Sequence, residues 1–237
     1  KVESKVKPKM INEVFDRVSK NYDLMNDLMS FGLHRFWKRF AVNSLPIRAD
    51  SKILDLAGGT GDITRLVAEK VNGSGVVVLS DFNMKMLKIG RDKLIDQGIL
   101  NFHIIQLNAE ELPFKKNYFD IIYIAFGLRN LTNKQKSLIS ILNCLKPGGA
   151  LVVLEFSKPT NETIREIYDL YSFEVIPKLG KLINKDEESY RYLAESIRMH
   201  PNQGELQTLM EKLGFINCSY ENITNGIVAI HTGVKAK

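Results

Sequence analysis

Cysteine is scarce in the chain: only Cys144 and Cys218 occur among 237 residues. They stand far apart and share no metal-ligand spacing. That excludes a disulfide framework and a thiolate zinc site, and it suits a reducing, cytoplasmic setting. The four histidines, His34, His103, His200 and His231, are equally scattered, so no metal is expected. No apolar run approaches the ~18 residues that a membrane-spanning helix needs, and no signal peptide is visible. The chain begins at Lys1 without methionine, so residues ahead of it, a targeting segment included, could have been removed. Blocks of like charge are missing too. The net charge of +6 is spread along the chain and reads first as a solvated basic surface. It leaves room for an anionic membrane surface, but it lacks the concentrated Lys/Arg stripe with stacking aromatics of a nucleic-acid binder. Repeats and low-complexity segments are also lacking. Length and an ordinary balance of 44% hydrophobic and 25% charged residues suit one α/β domain over residues 1–237 with a sizeable core.

Against these absences stands Ile53-Leu-Asp-Leu-Ala-Gly-Gly-Thr-Gly-Asp62. It reads as a short buried strand, a glycine-rich turn and the start of a helix over 63–71. Strand, tight turn and helix bring backbone amides and a helix N-terminus up to a small polar ligand. Gly58, Gly59 and Gly61, with Thr60 between them, are therefore expected to hold a nucleotide-like cofactor. A dinucleotide fingerprint wants a further glycine where Thr64 stands. A Walker loop wants Lys-Ser/Thr after the glycines. Both signals are missing. Asp81 follows 26 residues after Asp55, at the end of the next strand. It can accept from both hydroxyls of a ribose, or it can cap the helix that follows, as Asn83 also could.

The rest of the chain alternates. Strands are expected at 53–56, 76–80, 102–107, 119–125 and 150–156, helices at 84–97 and 134–145, and a turn at Lys146–Gly149. This pattern predicts a mostly parallel sheet with helices on both faces and ligands at its C-terminal edge. Arg129 is thereby placed near substrate. Ahead of the core at 51–157 lies a helical leader at 10–45, rich in Met and aromatics. It is either a cap packed on the core or a flap over a bulky apolar substrate. Helices at 163–173, 176–183 and 188–200 break the alternation as an insertion after the fifth strand. A helix at 203–213 and strands at 217–224 and 227–232 close the chain, with Asn225-Gly226 as the hairpin turn.

Asp55 inside the strand, with Gly58–Gly61 after it, resembles motif I of class I S-adenosylmethionine-dependent methyltransferases. That resemblance implies S-adenosyl-L-methionine as cofactor and carries adenine contact to Asn108 and Ala109. A narrower likeness runs from about Val14 to Gly233. Tyr22-Asp-Leu-Met-Asn-Asp-Leu-Met-Ser-Phe-Gly-Leu-His34, Phe126-Gly-Leu-Arg-Asn130, Leu154-Glu-Phe-Ser157, Tyr168-Asp-Leu-Tyr-Ser-Phe173 and Tyr192-Leu-Ala-Glu-Ser-Ile-Arg198 resemble the ubiquinone/menaquinone biosynthesis C-methyltransferases. One departure is Ala125, where many bacterial members carry serine, so no side-chain cofactor contact is carried to it. The resemblance implies a Rossmann-like seven-stranded sheet with a C-terminal antiparallel hairpin. It also implies methylation of a ring carbon on a polyprenyl benzoquinol, a demethylmenaquinol or both. Arg129 would then stabilise a phenolate, Asn130 would orient the ring and Tyr22 would meet a quinol oxygen. His34 and His200 could serve as bases but are more often structural. The 160–200 insertion and the 22–40 leader are expected to wall a tunnel for the isoprenoid tail, with core packing or a homodimer contact as the alternative. Such a tail implies peripheral contact with the inner membrane face or a quinone-biosynthesis complex.

Overall fold

A computed structural model of the chain describes residues 7–178, 181 and 187–237. Residues 179–180 and 182–183 of the expected second insertion helix, the link at 184–186, and the first six residues of the Lys-rich start lie outside the described residues. Three helices lead: α1 (Lys7–Val18), α2 (Tyr22–Ser30) and α3 (His34–Asn43). The core follows as β1 (Lys52–Leu56), α4 (Asp62–Ala68), β2 (Val76–Asp81), α5 (Met84–Asp96), β3 (His103–Gln106), β4 (Phe119–Ala125), α6 (Lys134–Cys144) and β5 (Leu145–Phe156). Then come α7 (Glu162–Leu170), a π-turn over Tyr171–Val175, α8 (Glu187–Arg198), α9 (Gln203–Lys212), β6 (Phe215–Ile223) and β7 (Val228–Lys235).

The described strands form one sheet in the order β3-β2-β1-β4-β5-β7-β6. Pairing is parallel from β3 to β5, and β7 runs antiparallel between β5 and β6. The central strands carry apolar residues on both faces because both are covered, with Asp55 in β1, Asp120 in β4 and Glu155 in β5 as exceptions. Ile53, Ile121, Tyr123, Val152 and Leu154 pack on the layer that includes α3, α4 and α8. Their neighbours Leu54, Ile122, Ile124, Leu151 and Val153 face α6 and α9. The Lys146–Gly149 turn is drawn into β5 as a bulge. Pairing with β4 jumps from Phe119–Leu145 to Ile121–Ala150, and the residues between loop out. The hairpin turns at Thr224, Asn225 and Gly226, all with positive φ, as the Asn-Gly signal requires.

The leader divides its roles. Met25, Met29 and Trp37 are fully buried, so these are core residues rather than an adaptable wall. Trp37 packs on Phe126 and Phe156 and donates its indole N–H to Thr224 Oγ1 at 2.9 Å. In the insertion, Tyr168 and Tyr171 pack against the core and Ile176 is buried in it, while α7 itself has no fully buried residue. Its Ile167 and Leu170 face solvent, each more than 60% exposed.

Candidate active site

The C-terminal ends of β1, β2, β3 and β4 meet at a cleft that encloses about 870 Å³ out to its mouth. Each strand end delivers part of the lining. Ala57 and Gly59 come after β1, Asp81 from β2, Asn108 and Ala109 after β3, and Phe126, Gly127 and Asn130 after β4. Ile11, Asn12, Phe15 and Tyr22 of the leader roof it. Ala57 and Phe126 both hold left-handed backbone, with φ of 56° and 57°. Non-glycine residues adopt this rarely and at a cost, and such outliers cluster at functional sites. No sequence signal marked them.

The glycine turn divides its labour. Gly59 alone of the four lines the cleft. Its φ is +55°, and its N–H donates to Asp81 Oδ2 at 3.0 Å. Gly58 lies beneath the turn, where an added Cβ would stand 2.6 Å from the Asp55 carboxylate and from Leu79. Gly61, with φ +81°, begins α4. Thr60 does not line the cleft. Its hydroxyl donates to Asp23 Oδ1 of α2 at 2.9 Å, which ties the turn to the leader. The close helix approach that a dinucleotide fold secures with its last glycine is supplied here by Gly90 on α5. A Cβ there would sit 2.8 Å from the Gly59 carbonyl oxygen. Thr64, where that glycine was missing, donates both its N–H and its hydroxyl to Asp55 Oδ2, at 2.9 and 2.7 Å. Burial pushes the Asp55 carboxyl up to about 6 in spite of these two bonds.

Asp81 is not the helix cap. Asn83 takes that role, its side chain accepting from the Met86 N–H. Asp81 accepts from the Gly59 and Asn83 N–H groups and lines the cleft. Burial pushes its carboxyl up to about 6, against the pull of those backbone bonds. A short carboxylate beside a glycine backbone suits a ribose diol, and the space that Gly59 leaves free of a Cβ gives a nucleoside a close approach. The site therefore fits the cofactor.

Arg129 is turned inward. Its Nη1 donates to Glu155 Oε1 and to the Phe126 carbonyl, both at 2.6 Å, and its backbone N–H donates to Glu155 Oε2 at 3.1 Å. The guanidinium is buried and is not part of the cleft lining, although Asn130 is. Arg129 nevertheless lies close enough to Tyr22, Tyr168 and Tyr192 for its charge to oppose the burial that raises all three hydroxyl pKa values. Tyr22 is pushed up to about 12, so it is a neutral O–H donor at ordinary pH. Asn26 is a side-chain hydrogen-bond partner of Tyr22, and Ser172 of Tyr168. Arg129 Nε and Asn130 Oδ1 are buried with no hydrogen-bond partner in the protein. Buried polar groups are seldom left unpaired, so these two atoms call for a polar partner. Glu155, Tyr168, Ser172 and Asn26 were not singled out from the sequence. All four lie within the family-like segments, and that was the available signal. His34 and His200 are not part of the cleft lining. Burial lowers the pKa of both, that of His200 to about 4, and His34 pairs with Asp27 at 2.9 Å.

A second cluster braces the roof. Lys38 and Lys93 both reach Asp62, at 2.7 and 2.9 Å, and Lys93 also reaches Asp23 at 2.7 Å. Burial alone would raise the Asp62 carboxyl, but the two lysines outweigh it and hold the group far below the carboxylate range.

Sheet order, carboxylate and glycine turn together define a class I S-adenosylmethionine-dependent methyltransferase. Solved structures carry the same fold at low identity. A SAM-dependent methyltransferase from Aquifex aeolicus superposes with a TM-score of 0.63 at 16% identity, over 85% of this chain and 91% of that one. A Haemonchus contortus phosphoethanolamine N-methyltransferase, solved with S-adenosylhomocysteine, gives 0.61 at 15% identity, over 84% and 52%. Sequence narrows the class. The ubiE/COQ5 methyltransferase family matches residues 3–235, and the chain belongs to that family. The ubiquinone/menaquinone biosynthesis C-methyltransferase UbiE of Shewanella pealeana is 57% identical over 99% of this chain and 94% of its own length. The enzyme of the same name from Methylococcus capsulatus is 56% identical over 97% and 93%.

Proposed function

We propose that the chain methylates a ring carbon of a polyprenyl quinol in ubiquinone or menaquinone biosynthesis, with S-adenosylmethionine as methyl donor. The family match over residues 3–235, with relatives 56–57% identical over nearly the whole chain, is the observation that carries this reading. When bound, S-adenosylmethionine supplies a methyl group already activated by a sulfonium, so the protein's task is to position an electron-rich ring.

Asp81 would accept from the ribose hydroxyls, Gly59 would let the cofactor approach, and Asn108 and Ala109 would flank the adenine. The buried Arg129 Nε–H has no partner in the protein, and its permanent charge would lower the cost of an aryl oxyanion nearby. An oxyanion raises electron density at the ring carbon ortho to it. Tyr22 and Tyr168, both neutral, would donate to quinol oxygens, and Asn130 would orient the ring. Glu155 touches no substrate in this scheme. It positions Arg129 by holding its main chain and its side chain together.

Incubation with methyl-labelled S-adenosylmethionine and short-chain benzoquinol or naphthoquinol acceptors, under reducing conditions, tests the proposal. Label should appear on a ring carbon of one acceptor or both. No labelled product from either would overturn it.

A further inference from the structure

The corner between α2 and α3 exposes aromatics that the fold does not need. Phe31 ends α2 with φ of 51°, a left-handed position where glycine normally serves, and its ring is 72% exposed. Phe36 and Phe40 stand one turn apart on the outer side of α3, with ring centroids 6.3 Å apart and both exposed. Arg35 and Arg39 alternate with them at the same spacing and are exposed as well. Arg35 shares Asp27 with His34. Arg39 makes no ion pair among the described residues. Both arginines line a second cavity of about 840 Å³ out to its mouth, into which Lys38, Arg65 and Lys93 also face, together with the Asp23 and Asp62 carboxylates that the lysines pair with.

This corner adjoins α7 and the π-turn that follows it. Phe31 stacks on Tyr171 with centroids 4.6 Å apart, and the Tyr171 hydroxyl donates to the Leu28 carbonyl at 2.6 Å. One turn back on α7, Tyr168 comes under the charge of Arg129. The solvent-facing Ile167 and Leu170 extend the apolar surface along α7.

We infer that the α2–α3 corner, continued by the outer face of α7, docks on an anionic lipid bilayer. Phe31, Phe36 and Phe40 enter the boundary between headgroups and acyl chains. Arg35 and Arg39 meet lipid phosphates. Aromatics beside a cationic stripe are the arrangement that interfacial helices use. A two-fold contact between copies would set the same arginines against their equivalents, so the charge favours a lipid partner. The biological purpose rests on the quinol reading, because the tail of such an acceptor lies in the bilayer that the seam between α2 and α7 would then face.

Sedimentation with phosphatidylcholine vesicles, with and without phosphatidylglycerol, tests the surface. The wild type should bind only the anionic vesicles, and added salt should release it. Arg35→Gln with Arg39→Gln should weaken binding about tenfold and flatten the salt dependence. Phe36→Ser with Phe40→Ser should abolish binding. Calorimetric affinity for S-adenosylmethionine and turnover of a short-chain quinol should be unchanged in both variants, while turnover of a long-chain quinol held in vesicles falls. Wild-type protein that stays in the supernatant, or variants that bind like wild type, would overturn the inference. So would a wild-type dimer, seen by ultracentrifugation, that the phenylalanine substitutions dissociate. Vesicle binding without methylation of any quinol would sink the functional reading and leave the docking face standing.

Discussion

Asp81 accepts two backbone N–H bonds and still lines the cleft, so its ionisation is read in ligand binding. A ribose diol donates to the carboxylate form. Binding should therefore release a proton, and cofactor affinity should rise as pH climbs through about 6 and then level off. Asp81→Asn should remove that dependence and weaken binding by about 1.5–3 kcal/mol, the range for a hydrogen bond to a charged group. Calorimetric titration across pH checks both, and unchanged affinity would reject the ribose assignment. Gly90 makes a steric prediction. Alanine there would press on the Gly59 carbonyl, so the turn must shift. About 1–3 kcal/mol of stability should be lost, as in other overpacked sites, and the KM for S-adenosylmethionine should rise more than kcat falls. Glu155→Ala would strand the Arg129 guanidinium inside the protein. Removing one partner of a buried pair costs about 3–5 kcal/mol, measurable by urea unfolding. Glu155→Gln should recover much of the fold while methyl transfer stays impaired.

At the scale of elements, separate polar contacts tie the leader to the core. Thr60–Asp23 and the Lys38–Asp62–Lys93–Asp23 chain join α2 and α3 to the glycine turn, α4 and α5, while Asn12 and Asp16 of α1 are held by Asn83 and Lys85. Asp23→Ala cuts two of the α2 links at once. Hydrogen exchange should then speed up in α2 while β1 and β4 stay protected, because these central strands are buried on both faces. Uniform exchange across the molecule would show that the bonds do not act as a local brace. The strands were legible in the sequence because apolar runs bounded by turn residues leave little alternative, and Asn225-Gly226 fixed the hairpin. Asp81 was legible through its distance from the glycine turn. The Arg129–Glu155 pair was not, since two residues 26 apart, one in the turn after β4 and one on β5, carry no periodic signal. Nor was the outward face of α7. Ile167 and Leu170 are the residue types of a buried wall, and only packing shows which way they turn.

For the whole molecule, partly exposed carboxylates and the buried Asp55 pull stability in opposite directions with pH. Asp16, Asp62 and Asp120 are held below the ordinary carboxylate value by cationic and hydrogen-bonding partners. Their contribution is present above the unfolded value of 3.8 and is lost as pH falls below it. Asp55 behaves in the reverse sense. Its folded value of about 6 exceeds the unfolded 3.8, so the native state holds the extra proton between them and unfolding free energy falls as pH rises through that window. The difference corresponds to a penalty on the order of 3 kcal/mol, fully expressed above about pH 6. Asparagine at this position cannot ionise, and any packing change that it brings is independent of pH. The stability of Asp55→Asn relative to wild type should therefore climb from pH 4 to pH 6 and then plateau. Urea unfolding of the cofactor-free protein at stepped pH measures this difference. A difference that stays flat across the window would mean that Asp55 is ionised throughout, with its unpartnered Oδ1 solvated in the native state.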